Sequence, residues 1–527
     1  MDSKITFPID LVVPYVNNLT SQWKQTYIKF CTENNYVERA NSFNSERYRD
    51  WGYFRYFFRG VNNFLPFIRK VFLILQDEDQ IPTWLNEETV NIVFHRDFIP
   101  AEFLPTYNST TIEMFLHRIE GLSEHFIYSN DDMYPLNSMT PEDFFSEKGK
   151  VKMGFRWSDI QPNALQFQKV CLSCYTTVAQ TVGATVEQGR FIVPFHEMTP
   201  MIKSHNEKLF SLLRDKILDG ITPFRNEKNY NQYIFPIYEL LTGNAEPPTR
   251  TYIYANMEDK VDLIKNTIAT TDANILVLND NEKTDLKRWG EGREVRIAFE
   301  QKNLTRGKYE KAPKVTICIC SYNAHDNFKR CLNSLPNRED IEIIVLDDKS
   351  TDDTLDIASV ELKDYKNYLI LLNEKNMGVG YNRNVLLEVA SGKYIFFLDS
   401  DDYIFTDVFI EIVDKYLNDQ NVLMPKYIRN DGFTEIPNIL RGVFVSKDYI
   451  GNVRFNPSLR CYEDTEFRKR LFEIRGMEKV FAIEMIVYHY NKPRIGSLTW
   501  EYRKKIGDPS YQKDEELWEK YRRGKRG

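Results

Sequence analysis

Two short acidic clusters follow apolar runs in this chain, roughly half its length apart. The run "HFIYSNDDMY" covers residues 125–134, and "YIFFLDSDDY" covers residues 394–403. Each pattern is typical of a buried strand that ends in carboxylates, whose oxygen atoms suit a hard divalent cation and its phosphate ligands. Because acidic turns are also common without any ligand, the neighbouring motifs must decide whether either cluster does chemistry.

The composition indicates a globular chain of several domains. Its 527 residues suggest two to four domains, and 42% apolar with 14% aromatic residues exclude a disordered chain. The net charge of −7 argues against a nucleic-acid partner. The longest apolar runs are far shorter than the ~18–20 residues of a spanning helix. The N-terminal residues do not have the pattern of a secretory signal, and the cysteines suggest reduced thiols.

These features predict a cytoplasmic protein. The last residues, "YRRGKRG", are basic. They are expected to form a solvated tail, or to make weak peripheral contact with the anionic inner face of the membrane.

Strands and helices alternate regularly after Pro313. Strands are predicted in "KVTICICSYN" (314–323), "IEIIVLDDKSTDD" (341–353), "NYLILLNEKN" (367–376) and "YIFFLDSDD" (394–402), and helices in 327–335, 353–362 and 381–390. This alternation predicts parallel βαβ units, whose ligands bind at the carboxyl ends of the strands. Four aspartates fall at those ends: Asp347, Asp348, Asp399 and Asp401.

The first half is less regular but also predicts an α/β sheet. Strands are expected at 9–16, 70–75 and 126–132, and helices at 49–64 and 111–119. The aromatic run "WGYFRYFFRG" is assigned to core packing. A polar stretch between the halves divides the chain, in which "VRIAF" could form a short strand. The predicted domains are 1–285 and 313–500, with a linker at 286–312 and a C-terminal tail at 501–527.

The second half resembles the family 2 glycosyltransferases of the GT-A fold over residues 313–500. The resemblance rests on "KVTICICSYN", "IVLDDKSTDDT", "MGVGYNRN" and "YIFFLDSDD", which occur in this order. It implies a Rossmann-like domain that uses Mg or Mn and transfers a glycosyl residue from a nucleotide sugar, with release of UDP. The usual glycine after the DD pair is Lys349 here.

The resemblance also implies roles for individual residues of this half. Asp348, with Asp347 beside it, would bind the uracil, and Arg383 would lie near the diphosphate. The DxD formed by Asp399 and Asp401 would hold the metal and the ribose. In "RCYEDTEF", Asp464 would be the base that deprotonates the acceptor, with Glu463 beside it. An acidic pair that only stabilises a helix N-terminus is the alternative for these two. The closing segment supplies three candidates near the phosphates and the metal: His489, Arg494 and Ser497.

The first half resembles the Stealth family over residues 5–285. The segments that carry the resemblance are "IDLVVPYVNN" (9–18), "RYRDWGYFRYFFRGV" (47–61), "LPTYNSTTIEMFLHRIEGLSEHFIYSNDDMY" (104–134), "FHEMTPMIKS" (195–204), "PFRNEKNYNQYIFPIYELLTG" (223–243) and "NILVLNDNE" (274–282). That family comprises bacterial hexose-1-phosphate transferases of capsule and cell-wall polysaccharides. It transfers sugar-1-phosphate from a UDP-sugar to a hydroxyl, and it releases UMP.

Phosphoryl transfer depends on charge neutralisation more than on covalent chemistry. The resemblance therefore implies that Asp131 and Asp132, with Asn130, hold Mg or Mn. The other candidates for catalysis or donor binding are Asp10, Arg49, Asn108, Glu113, His117, Arg118, His196 and Arg225. Glu113 lies four residues before His117, on one face of a predicted helix. The departures are Tyr15, Asn17 and Asn18, where the family usually has Trp and Asp-Gly.

Simpler interpretations remain open in this half. His117 could be a buried core histidine, Arg49 a member of a surface ion pair, and Asn130–Asp132 an ordinary turn. The prediction is a bifunctional enzyme of polysaccharide assembly that uses UDP-sugar donors and a glycan acceptor, which we expect to be lipid-linked. The alternative is a protein in which one half is catalytic and the other is a scaffold that binds glycan or partner enzymes.

Overall fold

The computed structural model describes most of the chain, and it forms two compact units, Met1–Glu310 and Lys311–Gly527. The described residues are 4–17, 21–36, 48, 51–161, 166–280, 289–302, 307–362, 365–373, 375–430, 432–437, 440–459, 461–491, 504–505, 512 and 516.

The first unit mixes short strands with helices. Its strands are β1 Ile9–Pro14, β2 Val71–Leu75, β3 Asn91–Phe94, β4 His125–Tyr128, β5 Met133–Pro135, β6 Val151–Lys152, β7 Phe155–Asp159, β8 Arg190–Pro194, β9 Thr199–Ile202, β10 Ala245–Glu246, β11 Tyr252–Asn256 and β12 Ile275–Asn279. Its helices are α1 Ser21–Glu33, α2 Phe54–Phe64, α3 His95–Phe98, α4 Ser109–Met114, α5 Gln166–Val182, α6 Lys203–Gly220, α7 Ile234–Leu241, α8 Val261–Thr270 and α9 Trp289–Lys302.

A five-stranded sheet in the order β3-β2-β1-β4-β9 forms the centre of this unit. Strands β1 to β4 run parallel, and β9 pairs antiparallel with β4. Alternate residues of each strand face opposite layers. Leu11 and Val13 pack with helix α2, whereas Val12 packs into a second core with helices α5 to α7. A smaller sheet, β11-β12-β5, continues directly from the turn that follows β4.

The second unit begins with regular βαβ units. Its strands are β13 Val315–Ser321, β14 Ile341–Asp347, β15 Tyr368–Leu372, β16 Tyr394–Asp399, β17 Tyr403–Ile404, β18 Val422–Arg429, β19 Thr434–Glu435, β20 Phe444–Ser446 and β21 Val480–Tyr490. Its helices are α10 His325–Asn333, α11 Thr354–Glu361, α12 Val379–Val389, α13 Thr406–Lys415, α14 Lys447–Ile450 and α15 Glu463–Arg475.

These strands form one sheet, in the order β15-β14-β13-β16-β20-β18-β21-β17, with β19 attached to β18. The first four of these strands are parallel neighbours, and β20 joins β16 in the antiparallel sense. The apolar, β-branched runs predicted after Pro313 therefore lie at the centre of the sheet, where helices cover both faces. The carboxyl ends of β14 and β16 both carry aspartates, as the alternation predicts.

The α/β class is confirmed in both halves, but the segment between them differs from the prediction. Residues 286–312, predicted as a linker, contain helix α9, so "VRIAF" is helical and not a strand. Arg59 of α2 reaches across to Glu300 on α9 and to Glu310, and all three residues are buried. The described part of this segment up to Glu310 therefore belongs to the first unit. None of the helices in the described parts of the chain is long and apolar enough to cross a bilayer.

Candidate active sites

The first unit contains a cleft of about 630 Å³ at the carboxyl ends of β1, β4 and β12. The predicted acidic turn, Asn130–Asp132, forms part of its wall. The backbone of this turn is hydrogen-bonded to β12, because the Leu278 amide donates to the Asp132 carbonyl at 3.0 Å. The acidic residues predicted to follow a strand therefore do follow β4, and they line this cleft.

Glu113 is a buried carboxylate in the same cleft. It accepts from the Gln232 amide at 2.8 Å and from the Tyr128 hydroxyl at 3.3 Å. Burial raises the pKa of Glu113 above its ordinary value, and the nearby positive charge of Arg225 opposes this shift only in part. A carboxyl group with a raised pKa binds a proton more readily than an exposed one, as a general base must.

The cleft also contains three ionisable side chains that interact electrostatically near Glu113: Asp132, His196 and Arg225. Burial raises the pKa of Asp132, and the charges of His196 and Arg225 counteract it. Burial lowers the pKa of His196, whose Nδ1 lies 3.2 Å from the Tyr233 hydroxyl. Arg225 is exposed and donates to the Ser109 hydroxyl. The cleft thus combines carboxylates with a cation, as transfer of a phosphoryl group requires.

Three predicted residues of this half lie away from the cleft wall. Asp10 is fully buried at the start of β1, where Arg69 binds both carboxylate oxygens at 2.8 and 2.6 Å. His117 packs against the ring of Phe210 at 4.8 Å, and burial lowers its pKa to about 4. Arg118 is exposed on the ring of Phe115. The predicted shared face of Glu113 and His117 is wrong, because α4 ends at Met114 and Leu116–Arg118 is a 3-10 turn.

Asn108 has a structural position at the edge of the site. Its side chain accepts from the Thr110 amide at 3.1 Å and caps helix α4. Its amide nitrogen donates to the Thr222 carbonyl and to Asn229, each at 3.0 Å. Asn108 therefore positions the segment that carries Glu113. Arg49 and Asn18 lie outside the described residues.

Part of the cleft wall was not predicted from the sequence. Trp51 and Tyr53, assigned to core packing, line the cleft together with Asp280. The indole nitrogen of Trp51 donates to Asp280 Oδ2 at 2.7 Å. Asp280 follows β12, so the same signal that identified Asp131, an acidic residue after an apolar strand, would have found it in "NILVLND".

The two aspartates after β14 organise loops in the second unit. Asp347 accepts from the Ser350 amide at 2.9 Å and from its hydroxyl. Asp348 is buried and accepts from the Met377 and Gly378 amides at 2.7 and 2.8 Å. In this arrangement the Asp348 carboxylate orders the loop before α12. Lys349 adopts φ +66°, a left-handed conformation that favours glycine.

Arg383 and Arg441 hold the first aspartate of the DxD from both sides. Arg383 lies 3.1 Å from Asp399 Oδ1, and Arg441 lies 2.9 Å from Oδ2. Burial alone would raise the pKa of Asp399, but the two guanidinium groups outweigh it and lower the pKa. Arg383 also donates to Glu463 at 2.6 Å. The predicted DxD, arginine and ED residues therefore meet in one network, and Arg441 is a member that the sequence analysis missed.

The acidic group is suited to a divalent cation. Oxygen atoms of Asp399, Asp401 and Asp402 lie within 4.8 Å of one another, and no other described residues bring three potential ligands so close. Burial and the charges of Asp401 and Asp399 raise the pKa of Asp402 well above its ordinary value. A bound cation would relieve this repulsion. Asp131 and Asp132 belong to no such cluster of three potential ligands among the described residues. A metal bound by these two carboxylates would therefore need further ligands from elsewhere.

The remaining predicted residues of the second unit differ in position. Asp464 lies in the first turn of α15 with Arg441 at 3.7 Å, so it shares this arginine with Asp399 of the acidic group. The ring of His489 stacks on Tyr403 at 4.3 Å and is not among the three clustered ligands. Its predicted role as a metal ligand is therefore unsupported by this geometry. Arg494 and Ser497 lie outside the described residues.

Both halves match known families. The model of "Stealth protein CR2, conserved region 2" matches residues 47–153, and that of "Glycosyl transferase family 2" matches residues 316–482. The capsular polysaccharide phosphotransferase WcwK of Streptococcus pneumoniae is 35% identical over 266 residues, which are 45% of this chain and 79% of that protein. The exopolysaccharide phosphotransferase cps2G of Lactiplantibacillus plantarum is 28% identical over 58% of this chain and 97% of its own length.

Other similarities are more limited. The receptor polysaccharide phosphotransferase WefC of Streptococcus oralis is 36% identical over 37% of this chain, and the match spans only 59% of that protein. The crystal structure of S. aureus TarS 1–349 with UDP-GlcNAc is 21% identical, covers 35% of this chain and 60% of that one, and has a TM-score of 0.31.

The matches and the geometry agree on the class of chemistry. The relatives are phosphotransferases of capsular and exopolysaccharides, and the second unit has the family 2 motifs on a sheet of parallel strands. This chain is therefore a transferase of polysaccharide synthesis that belongs to the Stealth family through its first unit and carries a family 2 glycosyltransferase domain in its second.

Proposed function

We propose that the two units catalyse two different transfers from UDP-sugars to a growing glycan. The observation that supports this is the contrast between the sites. The first cleft places Asp131, Asp132 and Glu113 beside Arg225. The second unit links Asp464, through Arg441, to a group of three aspartates that could hold a cation.

In the first cleft, the acceptor hydroxyl attacks the phosphorus that carries the sugar. The bond between the two phosphates breaks, UMP leaves, and the sugar stays attached through a phosphodiester. Arg225 faces the diphosphate charge, and Glu113, whose pKa burial raises, is suited to taking the acceptor proton. A divalent cation at Asp131 and Asp132, completed by phosphate oxygens, would neutralise further charge.

In the second unit, the acceptor hydroxyl attacks the anomeric carbon. The bond from that carbon to the diphosphate breaks, and UDP leaves. Asp464 takes the proton, and Arg383 and Arg441 fix the carboxylate of Asp399 beside it. A divalent cation at Asp399, Asp401 and Asp402 would supply charge neutralisation for the departing diphosphate. The acceptor we propose is a lipid-linked glycan, which the chain meets in peripheral contact with the membrane.

Separate assays of UMP and UDP test this proposal. Asp132→Ala should remove UMP release and leave UDP release intact, and Asp401→Ala should do the reverse. Phosphorus NMR of the first product should give a phosphodiester resonance coupled to an anomeric proton. A product without phosphorus, with UDP as the only nucleotide released, would make the chain a tandem of two ordinary glycosyltransferases. Loss of both activities in either variant would contradict two independent sites.

A further inference from the structure

The first cleft adjoins a second, smaller cavity of about 120 Å³. Seven residues line both cavities, among them Tyr15, Ser109, Asp131 and Arg225. The two cavities therefore meet at the acidic turn and at the arginine. A ligand that is longer than one cavity can pass through this junction.

Arg225 is the cationic side chain that lines both cavities. It is the one lysine or arginine among the described residues that line either of them. The larger cavity also exposes several carboxylates, which repel phosphate oxygens that no cation balances. The diphosphate of a nucleotide sugar is therefore best placed at the junction, where Arg225 can bind it. The nucleoside and the sugar must then occupy opposite sides.

The smaller cavity has the character of a nucleoside site. It lies at the carboxyl ends of three adjacent parallel strands, where Tyr15 follows β1, Gln76 follows β2 and His95 follows β3. Open α/β sheets bind nucleotides at such an edge. The rest of its wall includes the aromatic rings of Trp23 and Tyr107, which suit a flat heterocycle.

The part of the larger cavity's wall that the smaller cavity does not share has the character of a sugar site. The indole N–H of Trp51 donates to Asp280 at 2.7 Å, and both side chains are half-buried in the wall. This bond orients the Asp280 carboxylate, and a carboxylate has about four lone-pair sites for hydrogen bonds. The aromatic ring offers an apolar face beside it. A polyhydroxylated ring needs this combination of an apolar face and strong acceptors.

We propose that the donor lies across both cavities, with its nucleoside in the smaller one, its diphosphate at Arg225 and its hexose against Trp51 and Asp280. This assignment rests on the proposed function of the first unit, and it adds the orientation in which the donor lies across the two cavities. It makes the Trp51–Asp280 pair a determinant of which sugar is transferred. It also assigns Gln76 to recognition of the nucleoside.

Binding measurements on the full chain test the direction. To weaken nucleotide binding at the second unit through loss of its cation, all proteins would carry Asp401→Ala, and calorimetry would be done with Mg²⁺ and either UMP or a panel of UDP-hexoses. Trp51→Phe and Asp280→Asn should leave the Kd for UMP within about twofold. They should weaken the best UDP-hexose about tenfold and change the ranking of the panel, since a hydrogen bond to a charged group is lost or altered. Gln76→Leu should weaken UMP and every UDP-hexose alike.

The outcomes separate this proposal from the proposed function. If Trp51→Phe and Asp280→Asn weaken UMP as much as the UDP-hexoses, the nucleoside lies at Trp51 and the direction is reversed. If both variants bind the whole panel like the parent, no sugar lies there. If the proteins show the expected binding of UMP and UDP-hexoses but the parent releases UDP, the proposed phosphotransfer is wrong and the proposed orientation of the donor is kept. Trp51→Phe is judged only if its melting temperature equals that of the parent, and Asp280→Asn provides the same test without altering the ring.

Discussion

The guanidinium of Arg59 donates to the carboxylate of Glu310 at 2.6 Å, although 251 positions separate these two residues in the chain. Each side chain is 1% exposed. Burial opposes the charge on Arg59, but Glu300 and Glu310 outweigh it and raise the pKa of the guanidinium above its ordinary value. The segment predicted as a linker is thus attached to the core of the first unit by buried charges.

Glu310→Gln should therefore destabilise the first unit. Removing one partner leaves a buried positive charge with less compensation, which costs about 3 kcal/mol of unfolding free energy. Urea denaturation of the full chain measures this loss. The control is Glu147→Gln, because Glu147 pairs with Lys4 at 2.9 Å on the exposed surface, where such a pair contributes little. Equal effects of both substitutions would show that the buried pair has no special role.

Replacing Glu113 should change both the stability and the activity of the first unit, and the effect on stability should depend on pH. Burial raises its folded-state pKa above the ordinary value of 4.5, so the folded chain retains this proton to higher pH than the unfolded chain. The resulting stability is complete below that value and is lost as the pH rises through the folded pKa. Glu113→Gln should remove this pH dependence, match or exceed the parent in unfolding free energy at pH 7, and release little UMP. A variant with parental UMP release would exclude Glu113 from the chemistry.

Replacing Asp464 is predicted to slow turnover and to leave the binding of UDP unchanged. Asp464→Asn should lower the rate of UDP release by ~10²–10⁴-fold, which is the usual contribution of a general base. The Kd for UDP with Mn²⁺ should stay near that of the parent, because the acidic group with Asp401 is left in place. Calorimetry together with steady-state rates makes the comparison. Loss of the UDP isotherm would reassign Asp464 to the donor site.

The acidic group of the second unit is predicted to bind one divalent cation, and the number of cations bound per chain can be measured. In the presence of UDP, Asp401→Ala should reduce the number of Mn²⁺ ions bound per chain by one, because carboxylate oxygens are the preferred ligands. Electron paramagnetic resonance of free Mn²⁺ gives this number. Asp407→Ala is the matched control, since Asp407 is exposed and lies in the first turn of α13. An unchanged number in Asp401→Ala would contradict a cation at this group.

Lys349 predicts a stabilising substitution. Its φ of +66° is strained for a residue with a Cβ, and its side chain is exposed. Lys349→Gly should raise the unfolding free energy of the second unit by about 0.5–1 kcal/mol, with the gain limited by the greater freedom of glycine in the unfolded chain. Lys349→Ala keeps the strain and should be nearly neutral. A loss of stability in the glycine variant would show that Lys349 makes a favourable contact that outweighs the strain.

The sequence by itself determined the features that depend on local periodicity. The alternating runs after Pro313 predicted strands β13 to β16 within a few residues, and the acidic residues after β4, β14 and β16 were placed at strand ends. Both rest on short-range rules, because side-chain alternation and strand length are properties of neighbouring residues. The order of the motifs was then sufficient to identify both families.

Only the tertiary structure decided which polar residues share a site. His117 and Asp10 have the residue types of an active site, yet the fold buries one against Phe210 and pairs the other with Arg69. Trp51 meets Asp280, and Arg441 meets Asp399, across 229 and 42 positions. Such contacts depend on how distant strands are ordered in a sheet and where their connections return. No local pattern of residue types contains that information.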